Sequence, residues 1–281
     1  MSYECFEVTI EDSIAHIRLS RPEKRNAMSA SFWTDLPKIV RDIDDNAKAR
    51  VIVISAETVG DKPIFSAGID VGMFSSGGVS GNDKNNPVHG ADFYQNVLAL
   101  QDSFSALEEC RIPVLVAIHG GCIGGGVDLI TACDMRFGTK DAFITIYEIN
   151  VGMTADVGTF PRILNHMPEG VVRELAYTGR RMKAEECERR GLFNTVFETE
   201  AEMMDTVMAM AKEITSKPPL AVYGCKRIIT YSRDHSTADA LEQIAVWNMS
   251  MLIPSEMMEA MVAKGEKRAG SFADLPKIKR N

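Results

Sequence analysis

PVLVAIHGGCIGGGVDLITACDMRFGT, residues 113–139, is the stretch that decides the fold. It opens on a continuous apolar, largely β-branched run to Ile118, which predicts a strand buried on both faces. Glycines then crowd the turn from Gly120 to Gly126. From Val127 the apolar spacing of VDLITACD is helical, and a short strand is expected near Met135 to Gly138. Strand, glycine turn, helix and strand in succession mark an α/β protein. Three readings of the turn stay open: a phosphate loop, a dinucleotide-binding turn, or a purely structural one. It lacks the Gly-Lys-Ser/Thr ending of a P-loop, and no acidic residue closes a plausible second strand.

The pattern continues on both sides. VIVIS (51–55) is another buried strand, and IFSAGID (64–70) brings a second glycine-containing backbone close behind it. Phe6, Val8 and Ile10 alternate, a turn follows at 11–13, and Ile14 to Leu19 alternate again, predicting a hairpin. RPEKRN (21–26) is loop. Ser29 is a plausible N-cap for a helix to about Asp45, with a kink or early break at Pro37. SSGGVSGNDKNNPVHG (75–90) reads as a mobile surface loop before a helix from about Asp92 to Glu109. Downstream, strands are expected near Phe143 to Tyr147 and Leu192 to Phe197. Helices are expected near 200–215, 219–232, 237–252 and 255–268. The chain therefore divides into an α/β core over 1–200 and a helical region over 201–281, with no internal repeat visible. Methionines are dense in the helical region, among them Met203, Met204, Met208, Met210, Met249, Met251, Met257, Met258 and Met261. Such adaptable side chains suit either core filling or contacts between subunits.

Composition removes several function classes. The net charge of −8 over 281 residues disfavours nucleic acid as a main partner. No apolar run reaches the length of a membrane span. The five histidines show no ligand spacing, so no metal site is expected. Six scattered cysteines without a CxxC pair read as free thiols in a reducing compartment. Glu4, Glu7, Glu11 and Asp12 argue against a signal or transit peptide, and KIKRN (277–281) is not a peroxisomal address. The expected location is the cytoplasm.

Chemistry is carried by the two glycine-rich backbones. Glycine lets a chain approach a ligand closely, and a helix N-terminus presents unpaired, partly positive N–H groups. Two such groups from separate segments, aimed at one point, make an oxyanion hole. Three carboxylates stand near these segments: Asp128, Glu148 and Asp156. Each also has a plainer reading. Asp128 lies in a first helical turn, Glu148 ends a strand and could be solvated, and Asp156 could be a helix N-cap.

FSAGID (65–70), the 113–139 stretch, AFITIYEINVGMTADVGTFPRI (142–163) and RPEKRNAM (21–28) together resemble the crotonase, or enoyl-CoA hydratase/isomerase, superfamily. The resemblance extends over nearly the whole chain. It implies a crotonase-like spiral of ββα units followed by a C-terminal helical trimerisation region, assembled as a homotrimer or homohexamer. An acyl-CoA thioester would be the substrate, and no separate cofactor is implied. By the same match, the N–H groups of Ala67 and Gly125 form the oxyanion hole. Ala67, Gly68, Ile69, Asp70 and Gly126 line the coenzyme A and acyl site, and Lys24 and Arg25 hold the adenosine end. Lys264, Lys267 and Arg268 are further candidate phosphate contacts. Hydratases of the family carry acidic residues at the positions matching 128 and 148, but a small residue at the position matching 156. Acidic groups at all three resemble the Δ3,5-Δ2,4-dienoyl-CoA isomerase branch.

That reaction gives a third carboxylate work to do. Moving a 3,5-diene to 2,4 removes a proton from C2 and returns one at C6, roughly 5 Å away at ordinary bond lengths. An acid or base must sit within about 3 Å of its proton, so one fixed carboxylate serves both ends poorly. The expected roles are Glu148 as base at C2, protonated Asp156 as acid toward C6, and Asp128 as a supporting group. Two alternatives stand beside this: a 2-enoyl-CoA hydratase using Asp128 and Glu148, and a non-catalytic or RNA-binding homologue.

Overall fold

The computed structural model describes residues 3–75 and 87–279. The hairpin is present: β1 (Phe6–Glu11) and β2 (Ile14–Leu19) pair antiparallel, with Phe6 opposite Leu19. β2 then starts a parallel series through β3 (Val51–Ala56), β5 (Val114–Ile118), β7 (Met135–Thr139) and β10 (Thr195–Phe197). These make a six-stranded sheet in the order β1-β2-β3-β5-β7-β10. A second, four-stranded sheet is built from β4 (Ile64–Ser66), β6 (Gly121–Ile123), β8 (Phe143–Thr145) and β9 (Met182–Lys183). Each of the successive pairs β3–β4, β5–β6 and β7–β8 sends one strand to each sheet, so the chain advances as a spiral. Every residue of β3 and β5 is buried, which explains their uninterrupted apolar sequences.

Helices cover the sheets. They are α1 (Ala30–Asp45), α2 (Gly72–Ser75), α3 (Pro87–Glu109), α4 (Gly125–Ala132), α5 (Thr159–Ile163), α6 (Glu169–Thr178) and α7 (Ala184–Arg190). The C-terminal part adds α8 (Glu200–Thr215), α9 (Pro219–Asp234), α10 (Thr237–Met251) and α11 (Pro254–Glu266). The larger core lies between the main sheet and α1, α3 and α4. A second core fills the opposite face, where Met203, Val207 and Ala211 of α8 pack on Val51, Val53, Leu115 and Phe137. The first helix of the 201–281 region is thus the cover of the main sheet. The methionines divide accordingly. Met203 is buried, Met204, Met208 and Met210 pack beside it, and Met249 and Met261 are 81% and 64% exposed.

Pro37 does not break α1, which runs from Ala30 to Asp45 with the proline inside it. Proline removes the N–H that would bond the carbonyl four residues back. That carbonyl, on Trp33, accepts instead from Ser103 Oγ of α3 at 2.8 Å. Residues 76–86 lie outside those described, and with them most of the loop expected over 75–90. Residues 87–90 form the first turn of α3 rather than loop. Among the described residues no helix is long and apolar enough to cross a membrane.

Candidate active site

β4 and β6 are parallel neighbours, with Ile64 opposite Gly121 and Ser66 opposite Cys122. The two glycine-rich segments therefore leave the small sheet side by side. Gly68 has φ +81°, and a Cβ there would stand 2.7 Å from Ile123 O, so only glycine permits this approach. Met28 completes the frame. It forms a parallel bridge with Ile69, donating from its N–H to Gly68 O at 2.8 Å and accepting from Asp70 N at 3.0 Å. In such a bridge the N–H of the central residue turns away from its partner. A Cβ on Gly125 would lie 3.7 Å from Ile69 N, which puts the two amides next to each other. Gly125 opens α4, so its N–H has no acceptor inside the helix.

This corrects the expected pairing of Ala67 with Gly125. The Ala67 N–H already donates to Arg25 O at 2.9 Å. Ile69, expected only to line the site, supplies the amide beside Gly125. The left-handed Gly68 between them breaks the usual alternation of N–H directions, so neighbouring amides are put to different uses. Ser66 supports the same turn: its Oγ donates to Asn26 O at 3.0 Å and accepts from Gly68 N at 3.2 Å.

The three carboxylates converge here. Asp128 on α4 is fully buried, and its Oδ1 accepts from Thr159 N of α5 at 2.6 Å. Its Oδ2 is buried with no partner among the described residues. Glu148 starts a 3-10 turn, Glu148–Val151, rather than ending a strand. Its Oε1 would be 3.1 Å from a Cβ on Gly124, the residue just before the Gly125 amide, and its Oε2 is buried with no partner among the described residues. Asp156 stands on the exposed side, in the loop ahead of α5, and its carbonyl accepts from Gln101 Nε2 at 2.7 Å. The N-cap of α5 is Gly158, not Asp156.

Their electrostatics follow from this crowding. Burial, then the neighbouring Glu148, pushes the Asp128 carboxyl from 3.8 up to about 7, against the Thr159 bonds that favour its charge. Burial and then Asp156 raise Glu148. Asp156, open to solvent on one flank, is raised by the loss of water on its enclosed side. A carboxyl raised in this way holds its proton to higher pH than a free one, as a general acid requires.

The basic residues fall into two sets. Lys24 and Arg25 are exposed and form no ion pair among the described residues. Arg25 lines a cleft of about 440 Å³ with Pro22, Val59, Lys62 and Ile64. Since Arg25 O holds Ala67, this cleft abuts the FSAGID segment. Lys62, overlooked in the sequence, adds a second cation to it. Arg268 differs, because Glu259 and Glu266 engage it, while Lys264 and Lys267 are exposed. Asp70 caps the turn that follows it, accepting from Gly72 N at 3.0 Å. Gly126 is packed inside, where a Cβ would meet Cys122 Sγ at 3.1 Å. Among the described residues no group of three His, Cys, Asp or Glu side chains could hold a metal.

Comparison with known proteins adds the lineage. Residues 9–275 match the family described as enoyl-CoA hydratase/isomerase. A Homo sapiens protein named mitochondrial Delta(3,5)-Delta(2,4)-dienoyl-CoA isomerase is 40% identical over 273 residues, covering 95% of this chain and 81% of its own. An Arabidopsis thaliana protein named peroxisomal Delta(3,5)-Delta(2,4)-dienoyl-CoA isomerase is 37% identical over 280 residues, covering 98% and 99%. The solved enoyl-CoA hydratase from Bacillus anthracis superposes with a TM-score of 0.84 at 24% identity, over 96% of this chain and 99% of that one, a likeness of fold. The chain belongs to the enoyl-CoA hydratase/isomerase family.

Proposed function

We propose that this protein isomerises 3,5-dienoyl-CoA to 2,4-dienoyl-CoA. The observation that carries the reading is the third carboxylate: Asp156 shares one electrostatic neighbourhood with Glu148 and Asp128, beside the paired Ile69 and Gly125 amides. The names of the human and Arabidopsis relatives point the same way. The thioester oxygen accepts from Ile69 N–H and Gly125 N–H, which stabilise the enolate as charge develops. Glu148, against Gly124, removes a proton from C2. The electron pair left at C2 spreads through the two double bonds to C6. Asp156 delivers a proton there, the thioester carbonyl re-forms, and the double bonds now lie at 2,3 and 4,5. One turnover leaves Glu148 protonated and Asp156 ionised. The exposed position of Asp156 supports a reset through solvent. Arg25, Lys24 and Lys62 hold the phosphate-bearing end of coenzyme A, and no further cofactor takes part.

The deciding experiment offers purified protein a 3,5-dienoyl-CoA and, separately, a 2-enoyl-CoA, following the ultraviolet absorbance of each. Rapid appearance of the conjugated 2,4-diene with slow hydration supports the isomerase. Fast hydration with no dienoyl turnover supports a hydratase instead. For assembly we propose a homotrimer or homohexamer, since α10 has no buried residue and exposes Leu241, Ile244 and Met249. The unpaired cysteines support a reducing compartment such as the cytoplasm, whereas the relatives carry mitochondrial and peroxisomal names. Subcellular fractionation decides between these.

A further inference from the structure

The loop that carries Asp156 is held from outside the reacting groups. A cleft of about 370 Å³, lined by Gln101, Asp156, Arg162, Asn165, Thr230 and Arg233, lies along it. Ala155 and Val157 pack into the core on the inner side, and on the open flank hydrogen bonds hold the backbone. Three do so. Gln101 Nε2 donates to Asp156 O at 2.7 Å, Arg162 Nη1 donates to Val157 O at 3.5 Å, and Thr159 N donates to Asp128 at 2.6 Å.

Two of the donors, Gln101 and Arg162, belong to one built surface. Gln101, Ser105 and Glu108 lie at i, i+4 and i+7 on α3 and so share a face. Ser105 Oγ accepts from Arg162 Nη2 at 3.0 Å, and Glu108 accepts from Arg162 Nε at 3.0 Å. The other oxygen of Glu108 is taken by Arg233, near the end of α9. Arg162 is 9% exposed and reaches its carbonyl by passing across Gly158, where a Cβ would stand 1.8 Å from Nη1. Any other residue at 158 would displace the guanidinium. A stripe on α3 thus fixes the Asp156 backbone directly and, through Arg162, the next peptide as well.

We propose that Gln101 is a positioning residue for Asp156: with the Arg162–Glu108–Arg233 chain it sets how far the carboxyl reaches toward the distal carbon of the diene. This rests on the isomerase reading above. Gln101 touches no reacting atom. Its bond governs the step at C6 and leaves the step at C2, performed by Glu148 on the other side, unaffected.

Gln101→Met keeps the side-chain length and removes the N–H. It should lower kcat for dienoyl isomerisation about 10-fold, the scale of one lost hydrogen bond. KM and the exchange of the C2 hydrogen with deuterated water should each stay within about twofold. Retained exchange also certifies folding. Wild-type isomerisation in Gln101→Met overturns the proposal, as does an equal loss of isomerisation and exchange. Asp156→Asn, run in parallel, separates the two levels of inference. If it fails to divide isomerisation from exchange, the assignment of Asp156 as the acid at C6 falls and the positioning role with it. If it divides them and Gln101→Met does not, the positioning role alone falls.

Discussion

Asp128, Glu148 and Asp156 differ in what each is free to do. Asp156→Asn keeps shape but removes the transferable proton, so reprotonation at C6 should fail while Glu148 still opens C2. Dienoyl isomerisation should fall by at least ~10²-fold, with C2 exchange retained. Glu148→Gln should lose both, because no base remains at C2. Deuterium exchange beside the absorbance assay reads the contrast, and wild-type isomerisation in Asp156→Asn would overturn the role of Asp156 as the acid at C6. Asp128 is tested through stability. Its folded carboxyl titrates at about 7 against an ordinary 3.8, so between these values the folded protein holds a proton that the unfolded chain has released. Stability is then fully present below the lower value and is lost as pH rises through the upper one. Asp128→Asn removes that dependence and still accepts from Thr159 N. The variant should gain on wild type in urea midpoint between pH 5 and pH 8. A gap that stays constant across this range would refute the assignment.

Among the elements, α1 shows how a local rule is overruled by a neighbour. Pro37 predicts a kink or early break in the helix, and Ser103 on α3 repairs the missing bond at Trp33 O. Ser103 is fully buried, so Ser103→Ala leaves that carbonyl without its partner. The expected cost is ~1–3 kcal/mol by urea denaturation. In a Pro37→Ala background the new N–H at 37 can serve Trp33 O, and the cost of losing Ser103 should shrink. Equal costs in both backgrounds would mean that the two residues are not coupled. The second element-level surprise is β6, a strand inside a run that reads as pure turn. Its three residues are buried or half-buried between β4 and β8, and pairing on both sides holds glycine-rich backbone in a strand that its own propensity does not favour.

For the whole molecule, the C-terminal helices divide by what they cover. α8 is spent on the main sheet, whereas α10 exposes Leu241 and Met249, and α11 exposes Met257, Met258 and Met261. Faces this apolar are covered when copies close around a symmetry axis. Light scattering at micromolar concentration should therefore give a mass of three or six chains, and a monomer would refute the assembly.

Apolar patterning in the sequence determined much of the architecture: the hairpin, α4 and the four C-terminal helices repeat apolar residues at the spacing of their own geometry, and β3 and β5 show as uninterrupted apolar runs. It also marked the three carboxylates, because acidic residues beside glycine-rich turns are legible one residue at a time. What it left undetermined depends on partners distant in the chain. Whether Ala67 or Ile69 offers its N–H depends on the left-handed Gly68 and on Met28 and Arg25, some forty residues upstream. Gln101 and Arg162 carry no local mark of their roles, since a hydrogen bond to a remote carbonyl leaves no period and no motif. The upward shift of Asp128 belongs to tertiary structure as well: it needs burial and a second carboxylate brought close, and only the packed fold supplies both.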